Sequence, residues 1–313
     1  VKVCVTVDMD NVQDYQRLVG ESGDAGKHSF YDDAVPRFLD LFDEVGIKAT
    51  FFMVGRDAEQ APHRSAVRRI AERGHEVGNH SYTHPYNFRA LSREQKAEEI
   101  DRADASIADI TGARPVGFRT PSFDVDLETL HMLDERGYLY DSSVMPSPLM
   151  WVFMLYGKLF IRTKDYQLGH PLAVFSPTRP YRPSGKRLYR AARPGERGAP
   201  DILEIPGSVV AGLRLPFYAT VLRLLPPQVL DWSLRSYRHQ PLLNALFHLL
   251  DLADLDAEGL GGALGRTPGI AVSQERRLRF ASHAVAALAA AGTGATLSEF
   301  AREFTADGSQ GAD

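Results

Sequence analysis

Residues 1–10 read VKVCVTVDMD. Apart from Lys2 the first seven are β-branched or apolar, which predicts a strand over 1–7, and it stops at Asp8-Met9-Asp10. In an extended chain residues two apart face the same way, so Asp8 and Asp10 share a side. Two carboxylates that close repel unless a cation lies between them or one is protonated. A loop or helix-cap role is the plainer reading of either.

Outward from that strand the chain alternates helix and strand patterns. A helix is predicted over 34–45, with Val35, Phe38, Leu39, Leu41, Phe42 and Val45 on roughly one face and Gly46 closing it. A strand at 49–54 (ATFFMV), a helix at 65–73 closed by Gly74, and a short strand at 75–78 follow. The helix at 92–111 begins with Ser92 and has Gln95 three residues on, a capping box, and Gly112 ends it. Residues 116–118 read as a strand and 126–136 as a helix closed by Gly137. Parallel neighbours need crossovers, and helices supply them. This alternation predicts an α/β fold, either a mainly parallel sheet or a (β/α) barrel.

Between 146 and 200 the rhythm breaks. Ten basic residues stand against Asp165 and Glu196 there, a net of +8 in a chain whose net charge is −4. Aromatic residues, among them Trp151, Phe153, Tyr156, Phe175 and Tyr189, are interleaved with the charges. The α/β pattern resumes with a strand at 201–205, an apolar and basic stretch at 213–237, a strand at 242–248, a helix at 273–291, and 295–297 before a last short helix. We expect one domain over 1–304, interrupted by 146–200, and a disordered tail at 305–313.

The chain has 313 residues, 44% hydrophobic and 24% charged, enough for a sizeable core. A net charge of −4 argues against nucleic acid as a partner. Cys4 is the single cysteine, which excludes an intrachain disulfide framework and a cysteine-based zinc cluster. A reducing compartment follows as the expectation: cytoplasmic, and peripheral at the inner face of a membrane. No run of 18 uncharged apolar residues is present, so a spanning helix is not expected.

In parallel α/β folds, functional groups gather where strands end and loops begin. Four polar clusters fall at such points. Asp8 and Asp10 follow the first strand, His80 and His84 the third, Arg119 the fourth, and His248 a late one. His80 and His84 are four apart, close enough in one turn to share a metal ion; a solvated helix turn is the plainer reading. Arg119 could pair with a nearby carboxylate and keep it ionised, or form only a surface ion pair. Asp141 closes a short strand and suits a turn, and a lone imidazole such as His248 after an apolar run is often a core residue.

The ordered set Thr-Val-Asp-x-Asp, His-Ser-x-x-His, Arg-x-Pro, Asp-Ser-Ser and an apolar strand ending in His resembles the polysaccharide deacetylase family (the NodB-homology domain, carbohydrate esterase family 4). The resemblance covers most of 1–145 and returns around 201–304. It implies a distorted (β/α) barrel and metal-dependent hydrolysis of an N-acyl group on a sugar. By similarity Asp8 is the general base and Asp10, His80 and His84 are the metal ligands. Arg119 would hold Asp8, His248 would be the general acid, and Asp141 an orienting partner. One divalent ion is implied, Zn²⁺ with Co²⁺, Ni²⁺ or Mn²⁺ also suited to such ligands.

Three departures stand out. Met9 separates the two aspartates, which are usually adjacent. That spacing resembles the branch acting on lipid-linked sugars, such as undecaprenyl-phosphate formamido-arabinose deformylases, and leaves open which aspartate is base and which is ligand. Ser122 stands where tyrosine usually follows Arg-x-Pro. The acid assignment rests on the position of His248, with His239 and His283 the alternatives. Residues 148–161 and 213–225 are apolar and too short to span a bilayer. They suit either a membrane interface, a groove for an acyl or isoprenoid chain beside a phosphate, or plain core helices. The expected partner is an N-acylated sugar or lipid-linked glycan, with contact to an anionic membrane surface. A deformylase, a deacetylase of free oligosaccharides, a non-catalytic glycan-binding module and an amide hydrolase of cyclic ureides or imides are the competing functions.

Overall fold

The computed structural model of the chain describes residues 1–19, 29–160, 167–255 and 272–306. In order, the elements are β1 (Lys2–Asp8), α1 (Val12–Val19), α2 (Phe30–Val45), β2 (Thr50–Met53), α3 (Ala61–Glu72), β3 (Glu76–Asn79), α4 (Arg93–Thr111), β4 (Gly117–Phe118), α5 (Leu127–Glu135), β5 (Tyr140–Asp141) and α6 (Leu149–Phe160). There follow β6 (Pro183–Ser184), β7 (Arg187–Ala191), β8 (Leu203–Glu204), α7 (Ala219–Leu222), α8 (Pro227–Ser236), β9 (Leu242–His248), α9 (Gln274–Ala291), β10 (Thr293–Gly294) and α10 (Leu297–Ala306).

Most elements fall where the sequence patterns put them. Ser92 and Gln95 form the expected capping box on α4, and Gly46 closes α2 at φ 71°, a left-handed conformation open to glycine at no steric cost. Helix α3 starts at Ala61, earlier than expected, because Pro62 occupies its first turn, where a missing N–H costs nothing. Helix α1 was not anticipated; its residues are mostly polar and it is only 8 long. At the other end α10 runs to Ala306, so Thr305 and Ala306 belong to the domain and not to a tail. The rest of the expected tail, 307–313, lies outside the described residues.

All pairings in the main sheet are parallel, in the order β1-β2-β3-β4-β5-β8, with β9 on the other side of β1 and β10 beside its start. The sheet curls until its ends meet. Past β8, Ser208 N donates to Asn244 O at 3.1 Å, and Asn244 N donates back to Ser208 Oγ at 2.8 Å, so β9 is stitched to the far edge. The result is the expected distorted barrel. Period two sorts β1 between two environments. Val3, Val5 and Val7 join Phe38, Phe42, Phe51 and Phe247 under the helices, whereas Cys4 packs with Phe52, Tyr140, Leu203 and Ile205. Tyr140 lies so close to β4 that a Cβ at Gly117 would sit 2.0 Å from its ring.

Residues 142–202 make the long connection from β5 to β8. Within it stand α6, a short 3₁₀ turn at Pro171–Phe175 and the antiparallel β6–β7 hairpin. Residues 161–166 of the segment lie outside the described set. The second apolar basic stretch holds α7 and α8. Among the described residues no helix is long and apolar enough to cross a membrane.

Candidate metal centre and active site

Strand register assembles the site. Asp8, the last residue of β1, is the Cα partner of His248, the last of β9, and of Phe52 on β2. Met53 pairs with Asn79, Asn79 with Phe118, Phe118 with Asp141, and Asp141 with Glu204. Residues at or just past these positions therefore rim one mouth of the barrel, at the carboxyl ends of β1, β2, β3, β4, β5, β8 and β9. His80 and Arg119 are the first residues beyond β3 and β4.

Asp10, His80 and His84 converge. Oδ1 of Asp10 lies 3.3 Å from Nε2 of His80 and 3.3 Å from Nε2 of His84, and all three side chains are buried. Their candidate ligand atoms lie within 4.8 Å of one another, the one such His/Cys/Asp/Glu cluster among the described residues. His80 donates from Nδ1 to the Arg119 carbonyl at 2.7 Å, which leaves the Nε2 lone pair facing Asp10. The pair of histidines is not on a helix: Ser81 and His84 have φ 66° and 55°, and this left-handed loop folds the second imidazole back onto the first. Asp14 lies behind His84, its Oδ1 3.7 Å from Nδ1, and holds Arg17 and Arg56, both of which also bond carbonyls of the 83–84 loop. Burial raises the Asp10 carboxyl, but His84 and His80 more than reverse it and hold it well below the usual range. Burial lowers the His80 imidazole, and Asp8 with Asp10 outweighs it, so its affinity for a proton is raised. The same carboxylate charge draws a metal cation. Two imidazoles and a carboxylate, with Asp10 Oδ1 buried and accepting no hydrogen bond, fit one divalent ion with coordination positions to spare.

Asp8 faces away from this cluster toward Arg119. Arg119 Nη1 donates to Asp8 Oδ1 at 2.6 Å and to Thr6 Oγ1 at 3.0 Å, while Nε and Nη2 bond Ser142 O and Oγ. The guanidinium also stacks 4.2 Å above the Phe52 ring. This geometry separates the two aspartates: Asp8 is arginine-bound, Asp10 is imidazole-bound. His248 Nε2 lies 3.8 Å from Asp8 Oδ2 and 3.9 Å from Asp10 Oδ2, across the same opening. Its backbone N–H bonds Asp251 at 2.8 Å, and Asp251 is in turn held by buried Arg223. His239 and His283 are exposed, and His283 faces Asp231 instead.

Asp141 is buried and makes no hydrogen bond to Asp8, Asp10 or His248 among the described residues; it accepts from Ser143 Oγ at 2.6 Å. Tyr15 and Tyr218, not singled out from sequence, line the opening. Tyr15 OH lies 3.5 Å from Asp10 Oδ2, and the Tyr218 ring is 5.2 Å from His248. Burial pushes both phenols up, so both stay neutral hydrogen-bond donors. A tyrosine five residues past Asp10 was the only trace of the first; nothing local marked the second.

Residues 16–140 match the profile of the polysaccharide deacetylases. That stretch, less than half of the chain, is similar to the family. A peptidoglycan deacetylase-like protein of Gibberella zeae is 31% identical over 155 residues, 46% of this chain and 44% of that protein. The peptidoglycan deacetylase of Helicobacter pylori is 30% identical over 134 residues, 43% of this chain and 44% of that one. The chain thus matches less than half the length of these curated relatives. A solved structure from Mycobacterium smegmatis, described as a candidate polysaccharide deacetylase, aligns over 98% of this chain and 91% of its own with a TM-score of 0.58 at 19% identity, which shows a shared fold.

Proposed function

We propose that the chain is a metal-dependent carbohydrate N-deacetylase. The observation that carries the reading is the convergence of Asp10, His80 and His84 beside an arginine-held Asp8, with His248 across the opening. A divalent ion bound there supplies Lewis acidity, polarising an acyl oxygen and acidifying water. Asp8, its Oδ1 clamped by Arg119, is left with Oδ2 to take the proton of the attacking water. His248 delivers a proton to the departing nitrogen, so amide and water become carboxylic acid and free amine. The Arg119 clamp supports the base role for Asp8 and the ligand role for Asp10.

The substrate we infer is a glycan bearing N-acetylglucosamine, since relatives are named for peptidoglycan N-acetylglucosamine and for chitooligosaccharide. Zn²⁺ is the ion best suited to the donor set. The test is mass spectrometry of N-acetylated glycans with and without the protein, read against Asp8→Asn. Loss of one acetyl mass per site, with acetate released, is the expected result. A mass loss matching formyl would move the reading to a deformylase; no mass loss with retained glycan binding would make it a binding module.

A second reading, a lipid-phosphate-linked glycan met at an anionic inner membrane face, is favoured by one surface. Trp151, Val152, Leu155 and Leu159 of α6 are 44–66% exposed, as are Leu172 and Phe175 beside them at 53% and 69%. His170 stacks on Tyr189 of β7, joining this face to the basic hairpin that carries Lys186, Arg187 and Arg190. Apolar side chains next to arginines suit an interfacial surface. Sedimentation with anionic and with neutral vesicles tests it: Leu155→Glu/Leu159→Glu should abolish binding to the anionic ones, and equal recovery with both vesicle types would remove the reading.

A further inference from the structure

Behind the rim, and outside the groups given a part in the reaction above, lies a buried carboxyl pair. Asp141 and Glu204 are register partners on β5 and β8, and both are fully buried. Register sets the two carboxyl groups side by side, and Glu204 Oε2 is buried with no donor offered to it, a placement that calls for a proton on one of the two. Asp141 already accepts from Ser143 Oγ at 2.6 Å and from Ser143 N at 3.3 Å, whereas Glu204 accepts only Val144 N at 3.1 Å through Oε1, with no other partner on Oε2 to satisfy a charge. Glu204 is therefore the protonated partner and Asp141 the ionised one. Burial, then the neighbouring Asp141 charge, pushes the Glu204 carboxyl up well above its ordinary range, while Arg119 opposes weakly; Tyr181 and Tyr189, the other titratable neighbours, are neutral phenols.

From this pair a line of hydrogen bonds reaches the metal cluster through a single peptide group. Ser143 gives its hydroxyl proton to Asp141 and accepts Thr120 N–H at 2.8 Å. The same peptide unit presents its carbonyl, Arg119 O, to Nδ1–H of His80 at 2.7 Å. Anionic Asp141 thus polarises Ser143, then the 119–120 peptide, then His80, each bond strengthening the next. The end of the line is a more basic Nε2 aimed at Asp10. Metal-binding histidines ordinarily owe their orientation to a hydrogen bond on the other ring nitrogen; here the line runs on from that peptide through Ser143 to Asp141 and Glu204.

We propose that Glu204 is a positioning residue that, as a neutral acid, fixes Asp141 and through Ser143 and the 119–120 peptide tunes His80 as a metal ligand. The inference rests on the metal-centre reading but not on the identity of the substrate. It is tested on the intact chain with Zn²⁺ alone, by competition with a chromophoric chelator, and by infrared difference spectra of the metal-free protein. Glu204→Gln keeps a donor toward Asp141 and should hold zinc within about threefold of the parent. Ser143→Ala and Glu204→Leu break the line and should weaken zinc about 10-fold or more, the scale set by losing an outer partner of a metal ligand. In an Asp57→Asn background, which removes another buried carboxyl whose proton affinity is raised, a protonated carboxylic acid band at neutral pH should be present and should disappear on Glu204→Gln. If Glu204→Leu fails to fold, Ser143→Ala and the band still decide. Equal zinc affinity in parent and Ser143→Ala, or a band that survives Glu204→Gln in the Asp57→Asn background, overturns the proposal. Failure of the parent to deacetylate any glycan, with these results intact, would instead count against the proposed function.

Discussion

Replacing Arg119 by methionine should cost more than any surface charge in this protein. Arg119 and Asp8 meet at 2.6 Å with side chains 2% and 4% exposed. At an effective dielectric of about 20, unit charges at that distance attract by roughly 6 kcal/mol. Taking both ions out of water cancels much of this, so the intact pair is a modest net stabiliser. Removing one partner is different. Methionine keeps a contact with the Phe52 ring but leaves Asp8 buried and unpaired, and Ser142 O loses its Nε donor. The expected loss is about 3–5 kcal/mol, or roughly two to three and a half decades in the folding equilibrium. Urea unfolding of the parent, Asp8→Asn, Arg119→Met and the double variant, each with a chelator present, gives the coupling directly. Coupling of about 2 kcal/mol or more is expected, against 0–1 kcal/mol for an exposed pair. Arg119→Met unfolding within about 1 kcal/mol of the parent, or coupling below about 0.5 kcal/mol, would refute the picture of a buried clamp. In the metal-loaded protein the same variant should lower kcat by about 10²-fold or more, since Asp8, the base under the proposed function, would no longer be aimed.

Three further outcomes follow from the same geometry. His80→Ala should reduce bound divalent metal after gel filtration from one per chain to near none, read by elemental analysis; full retention would remove His80 from the ligand set. His248→Ala should keep its metal and lose about 10²–10⁴-fold in kcat, the range for a single proton-transfer group; turnover within tenfold of the parent would shift the acid role elsewhere. Asp57, fully buried, has its carboxyl raised to about 7 by burial and then by the charge of Asp14. Because the folded state holds that proton more tightly than the unfolded chain, stability should fall as pH rises from about 4 to about 7. Asp57→Asn should flatten that fall in chemical denaturation curves, and an unchanged slope would show that Asp57 does not carry it.

Much of the site could be read from one strand and a few short motifs, because parallel α/β folds place their chemistry at strand ends. Asp8, His80, Arg119 and His248 stand at or just past strand ends, with Asp10 two residues beyond Asp8, and each lies on the same rim. Less visible was anything set by sheet curvature. The β4, β5 and β8 strands are only two residues long, too short for periodicity to register. Glu204 carried no sign of its role, since its partner is 63 residues away along the chain and adjacent only because β5 and β8 pair. Tyr218 sits in an apolar basic stretch where nothing set it apart.

From residue types and order alone came the class of fold and the polar residues at its strand ends, because hydrophobic periodicity is a local property of the chain; their reading as ligands, base and acid came from the family resemblance. The division of labour between Asp8 and Asp10 was not local. Both leave the same strand toward the same opening, and only the closing of the barrel brings Arg119 against the first and the two imidazoles against the second. Which carboxylate is neutralised by a fixed cation and which is left for a metal is decided by distances across the barrel, and those exist only once β1, β3, β4 and β9 are held side by side.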